Sequence, residues 1–128
     1  MTSSVLIVDD DPFMVRTLCV VLRRRGYETM GVHSGEEAVA VTEEQSWSAV
    51  LMDIRMGGMN GVEAFRALRD RDPRVRVILM TAYSSPDLLR EAEDAGVRRV
   101  LAKPFAIPDL LETLRDELQG GAGDRGAD

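Results

Sequence analysis

The chain has 128 residues, 45% of them apolar and 30% charged, with a formal net charge of -6 at pH 7. A chain of this size forms one domain and buries roughly two thirds of its unfolded surface in a single core. No apolar run approaches the roughly 20 residues of a membrane span, and the negative charge disfavours nucleic acid and anionic membrane as direct partners.

The apolar stretch at Val5 starts without a basic region and runs straight into acids, which does not fit a signal peptide and places the chain in the cytoplasm. Val5-Leu6-Ile7-Val8 is a short β-branched run that ends in Asp9-Asp10-Asp11-Pro12. Asp11 followed by Pro12 predicts an N-cap with proline at N1, and Met14, Leu18, Val21 and Leu22 then recur at helical spacing up to Gly26. The single cysteine, Cys19, falls inside this pattern and is expected as a buried small hydrophobe in a reducing compartment. Asp9 and Asp10 are not explained by the helix, since crowded carboxylates repel, and something cationic is expected beside them.

Tyr27 to Val32 predicts a second strand, polar enough for a sheet edge, followed by a helix from a Ser34–Glu37 capping box. His33, the only histidine, has no partner at ligand spacing and is expected on a surface loop. Ala49 to Met52 is the third strand, closing on Asp53. Gly57-Gly58-Met59-Asn60-Gly61 is a flexible loop into a helix capped by Asn60 and carrying Val62, Phe65 and Leu68 on one face. Val75 to Met80 is the fourth strand and closes on Thr81. Ser85-Pro86 opens a helix with Leu88, Ala92 and Ala95 inward, stopped by Gly96, and Val97 to Ala102 is the fifth strand, closing on Lys103-Pro104. The last helix starts at Pro108 with Leu111, Leu114 and Leu118 inward. Residues 1–119 therefore form the domain and 120–128 a flexible Gly-rich tail.

Strict alternation of strands and helices predicts a doubly wound α/β three-layer sandwich with a parallel five-stranded sheet in the flavodoxin-like order 2-1-3-4-5. In that order Asp9, Asp10 and Asp53 converge on one crevice, with Thr81 and Lys103 on the neighbouring strand ends. Oxygen ligands of this kind suit a hard divalent cation such as magnesium. With an ammonium from Lys103 and a hydroxyl from Thr81, the site is complementary to a phosphoryl group, and one carboxylate can act as nucleophile. No general base lies in the set, so capture and slow release of the phosphoryl group fit better than rapid hydrolysis.

These residues resemble the receiver domain of two-component response regulators, the CheY-like superfamily, over Val5 to Leu118. The resemblance rests on Asp9-Asp10, on Met52-Asp53-Ile54-Arg55-Met56, on Thr81-Ala82-Tyr83 and on Lys103-Pro104-Phe105. It implies that Asp53 takes a phosphoryl group from a sensor histidine kinase or a phosphotransfer protein, with Thr81 and Lys103 assisting. It also implies that Asp10, Asp53 and the Arg55 carbonyl hold magnesium or manganese directly, with Asp9 acting through water. Tyr83, Val100 and the Arg55 side chain fall at modulating positions. The implied partners are a downstream protein or output domain, or a second copy through the face formed by the fourth helix, fifth strand and fifth helix. A cis Lys103-Pro104 peptide is a further expectation of the resemblance.

Gly57 stands where the family usually has proline, and Val100 where it usually has Tyr or Phe. Valine is too small and stiff for an aromatic rotamer switch, so the response is expected in the loop from Thr81 to Ser85 and the start of the fourth helix. Two other functions are weighed against this one. Asp9-Asp10-Asp11 is also similar to the Asp-x-Asp signature of haloacid-dehalogenase-type phosphatases, but Phe13 breaks that signature and a substrate-selecting cap has no room. Gly121-x-Gly123-x-x-Gly126 lacks the preceding strand and following helix of a dinucleotide site.

Overall fold

The computed structural model describes residues 2–82 and 86–127. Five strands alternate with five helices: β1 (Ser4–Val8), α1 (Pro12–Arg24), β2 (Glu28–Val32), α2 (Gly35–Glu44), β3 (Ala49–Asp53), α3 (Gly61–Arg71), β4 (Val77–Thr81), α4 (Pro86–Ala95), β5 (Arg99–Ala102) and α5 (Ile107–Ala127). The strands pair in parallel in the order β2-β1-β3-β4-β5, which is the predicted doubly wound architecture. β3 and β4 are buried along their whole length, whereas the edge strands β2 and β5 alternate between covered and exposed positions.

The period of two along each strand divides the core into two layers. Val5 and Ile7 of β1, Leu51 of β3, and Ile78 and Met80 of β4 pack against α1 and α5 through Leu18, Leu22, Leu110 and Leu114. Leu6, Val8, Met52 and Leu79 point to the other face and meet Ala38, Phe65, Leu68 and Ala92. Asp53 keeps the parity of Leu51.

Local signals set the helix starts. Asp11 Oδ1 accepts from Phe13 N–H at 3.0 Å, and Asn60 and Glu63 form a complete capping box. At α2, Ser34 Oγ accepts from Glu37 N–H, but the Glu37 carboxylate reaches one residue further than predicted and accepts from His33 N–H at 2.7 Å.

The inward faces differ from the predicted stripes in two helices. In α1 the buried residues are Val15, Leu18, Cys19 and Leu22, with Met14 and Val21 half-buried, because Val15 and Cys19 lie against Gly31 of β2, where there is no side chain to hold them off. In α5, Leu110 and Leu114 are buried outright and Leu111 and Leu118 flank them, while Glu117 is 3% exposed. Burial of this acid is offset by an ion pair at 2.7 Å with Arg99 of β5. α5 runs on to Ala127, past Gly120, where the composition predicts the start of a flexible tail. Extending a helix that is already packed fixes one residue per added hydrogen bond, a far smaller cost than nucleating one.

Candidate functional site

Sheet register decides which strand ends meet. Val8 pairs with Met52, so Asp9 and Asp53 leave adjacent parallel strands at the same height. Asp9, Asp10 and Asp53 each place a carboxylate oxygen within 4.8 Å of the other two. On the other side of β3, Asp53 pairs with Met80 and Thr81 with Ala102, and Lys103 N–H donates to the Thr81 carbonyl at 2.7 Å. Lys103 is thereby fixed beside Thr81, and the peptide bond from it to Pro104 is cis.

Lys103 is the only lysine in the chain. Its Nζ donates to Asp9 Oδ2 at 2.6 Å and lies 3.7 Å from Asp53 Oδ2. Asp9 is 1% exposed, and its other oxygen accepts from Asp11 N–H at 3.0 Å. The cation expected beside Asp9 is thus in part Lys103, reached across 94 residues of sequence. One ammonium does not balance three carboxylates, and an all-oxygen donor set without thiolate or imidazole fits a hard divalent cation.

Burial pushes the Asp53 carboxyl up from 3.8 to about 6. The neighbouring Asp9 adds to the rise, Lys103 and the Arg55 backbone N–H oppose it, and Asp10 raises it a little further. Asp53 is therefore largely ionised at neutral pH, yet more basic than an exposed carboxylate, which favours it as a nucleophile. Thr81 is buried at the end of β4.

Gly61 carries a requirement that the sequence pattern does not reveal. A Cβ on this residue would lie 2.7 Å from both the Asp53 carbonyl oxygen and Ile54 Cα, and its own N–H donates to the Ile54 carbonyl at 2.9 Å. The first residue of α3 thus rests on the backbone of Asp53 and Ile54, which only glycine permits. A glycine directly after an N-cap asparagine is the one sequence signal that could have marked it.

The Arg55 side chain is exposed, Val100 is 41% exposed on β5, and Tyr83 lies outside the described residues. His33 is exposed and does not belong to the acidic cluster.

A family model described as the response regulator receiver domain matches residues 5–115, a span that takes in Asp9, Asp10, Asp53, Thr81 and Lys103. The chain belongs to that family. Receiver domains are signalling modules for which phosphorylation on aspartate is characteristic. They bind magnesium at an acidic pocket, are phosphorylated by histidine kinases and act on output domains.

This receiver domain is similar to sporulation initiation phosphotransferase F of Bacillus subtilis, at 31% identity over 118 residues covering 92% of this chain and 95% of that protein. It is 35% identical over 114 residues to the transcriptional regulatory protein ZraR of Salmonella typhimurium, covering 89% of this chain but 26% of that protein. Among solved structures it is similar to the receiver domain of the sensor histidine kinase PA1611 from Pseudomonas aeruginosa, which has a magnesium ion coordinated in the active site cleft. That match has a TM-score of 0.84 and 31% identity, covering 92% of this chain and 98% of that one. Neither the fold nor the family supports the phosphatase alternative.

Proposed function

We propose that Asp53 is the phosphoacceptor of this receiver domain and takes its phosphoryl group from a histidine of a sensor kinase or phosphotransfer protein. The observation that carries this is the setting of Asp53, a buried carboxyl at a strand end, 3.7 Å from Lys103 and inside a triad of acids. An oxygen of Asp53 forms the new P–O bond while the donor's P–N bond breaks and its electron pair returns to the imidazole. Lys103 pairs with a phosphoryl oxygen and the Thr81 hydroxyl donates to another. Magnesium, or manganese in its place, held by Asp10, Asp53 and the Arg55 carbonyl and by Asp9 through water, would neutralise charge on the transferring group. With no side chain in the set acting as a general base toward water, the phosphoaspartate is released slowly and the module catalyses its own transfer.

An apolar groove of about 200 Å³ beside Lys103, lined by Phe13, Met14, Leu18, Pro104, Phe105 and Ile107, supports docking of the phosphodonor there. Phe13 is 75% exposed at its rim, where a partner would cover it. The receiver unit is residues 1–119, acting in the cytoplasm, with the Gly-rich segment 120–128 as its C-terminal tail. Among the described residues no helix is long and apolar enough to cross a membrane. Output is carried by residues 81–85 and the start of α4 and passes to a partner protein or output domain, with the face of α4, β5 and α5 available to a second copy.

Acetyl phosphate with magnesium tests the assignment, the labelled peptide being located by mass spectrometry. The expected site is Asp53, with no label on Asp53→Asn. Labelling of Asp9 instead would overturn the receiver chemistry in favour of the phosphatase.

A further inference from the structure

The segment between β3 and α3 carries Arg55, whose N–H donates to the Asp53 carboxylate. Gly57 and Gly58 follow each other within it, Gly58 at a φ of +75°, and a Cβ on Gly57 would meet nothing within 4 Å. Successive glycines have the widest range of backbone conformations of any pair. At its base the segment is closed by the bond from Gly61 N–H to the Ile54 carbonyl, 2.9 Å long.

Its tip is held from outside, by α2. Glu36 Oε2 accepts from Met59 N–H at 3.2 Å, 23 residues away in sequence. The same oxygen would lie 3.0 Å from a Cβ on Gly58, so the carboxylate covers the turn as well as its far end. Gly35 beside it is pressed against the segment too, since a Cβ there would be 3.2 Å from the Met59 carbonyl oxygen and from Met59 Cγ. The other polar side chains of this helix start are committed elsewhere, Ser34 to Glu37 N–H and Glu37 to His33 N–H. Glu36 alone among them reaches the segment.

We infer that Glu36 is a positioning residue for the metal site: its carboxylate pins Met59 N–H and so restrains the Gly57-Gly58 hinge that would otherwise let the Arg55 carbonyl swing away. This deepens the assignment of the Arg55 carbonyl as a cation ligand and rests on it. A hydrogen bond to a charged acceptor is stronger than one between neutral groups, and groups that orient metal ligands tune affinity without touching the metal.

The test uses Glu36→Ala, Glu36→Gln and Gly57→Pro in the full chain, with two readouts. The first, without metal, is the backbone 15N order parameter of residues 56–59. It is expected to fall below about 0.6 in Glu36→Ala and to stay near the parent in Glu36→Gln, whose amide oxygen still accepts from Met59. The second is magnesium affinity followed by amide shifts, expected to weaken about threefold to tenfold in Glu36→Ala and to be kept within twofold in Glu36→Gln. Gly57→Pro restricts the hinge by itself, so Glu36→Ala added to it is expected to cost less than twofold. Equal losses in Glu36→Gln and Glu36→Ala would trace the effect to lost charge and overturn the tether, as would an unchanged Glu36→Ala or an undiminished loss in the proline background. If the parent itself binds no magnesium, the metal assignment fails, and the order parameters still decide whether Glu36 restrains the loop.

Discussion

Replacing Asp53 by asparagine should make the metal-free protein more stable at neutral pH, because a buried charge held for chemistry is a cost to the fold. The folded carboxyl sits at about 6 against 3.8 for an exposed one. At about 1.4 kcal/mol for each tenfold change in proton affinity, keeping it ionised at pH 7.5 costs at most about 3 kcal/mol. The asparagine amide group then faces the Lys103 ammonium, which takes back part of the gain and leaves about 2 kcal/mol. For a domain of this size that is a rise in Tm of about 8 °C. The sign with pH follows from a folded value raised above the unfolded one. Between pH 4 and 6 the folded state holds the proton more tightly, so the parent loses stability as pH rises through that window and the variant does not. At pH 4.5 the cost of ionisation falls to about 1 kcal/mol, so the gap should shrink by about 2 kcal/mol, to near zero, when the comparison is repeated there. Thermal unfolding in chelator at both pH values measures it. A variant less stable than the parent at pH 7.5, or a gap that does not change with pH, would refute the reasoning.

Asp10→Asn, at the exposed corner of the acidic cluster, should raise Tm in chelator by about 1 °C and weaken magnesium binding, and a lower Tm than the parent in chelator would count against the idea that these acids repel. Gly61→Ala should lower stability by about 1 to 3 kcal/mol and slow labelling by acetyl phosphate, since the new methyl must displace the Asp53 and Ile54 backbone; urea titration and the labelling rate measure the two effects, and a variant equal to the parent in both would remove Gly61 from the site. Beryllofluoride, a phosphoryl mimic, should shift the amides of residues 82–89 more than those of 97–102 and of α5, because Val100 has one stiff torsion and no ring to turn. Larger shifts in β5 and α5 would make the loop-first response wrong.

Much of the molecule was legible in the sequence because its causes are short-range. Apolar runs closing on Asp9, Asp53, Thr81 and Lys103 marked the strand ends, and Asp11, Ser34 and Asn60 marked helix starts, since a cap bonds an N–H two or three residues on. Once strand order follows from alternation, the crevice and its polar residues follow with it. What the sequence could not decide depends on groups brought together from far along the chain. Lys103 reaches Asp9 across 94 residues, Arg99 reaches Glu117 across 18, and Glu36 holds Met59 across 23. Which residues of α1 turn inward, and the inward turn of Glu117, depend on which neighbour each helix meets, and periodicity fixes a stripe only to within about one position. The affinity of Asp53 for its proton depends on desolvation, a property of everything packed around it and of no residue in particular.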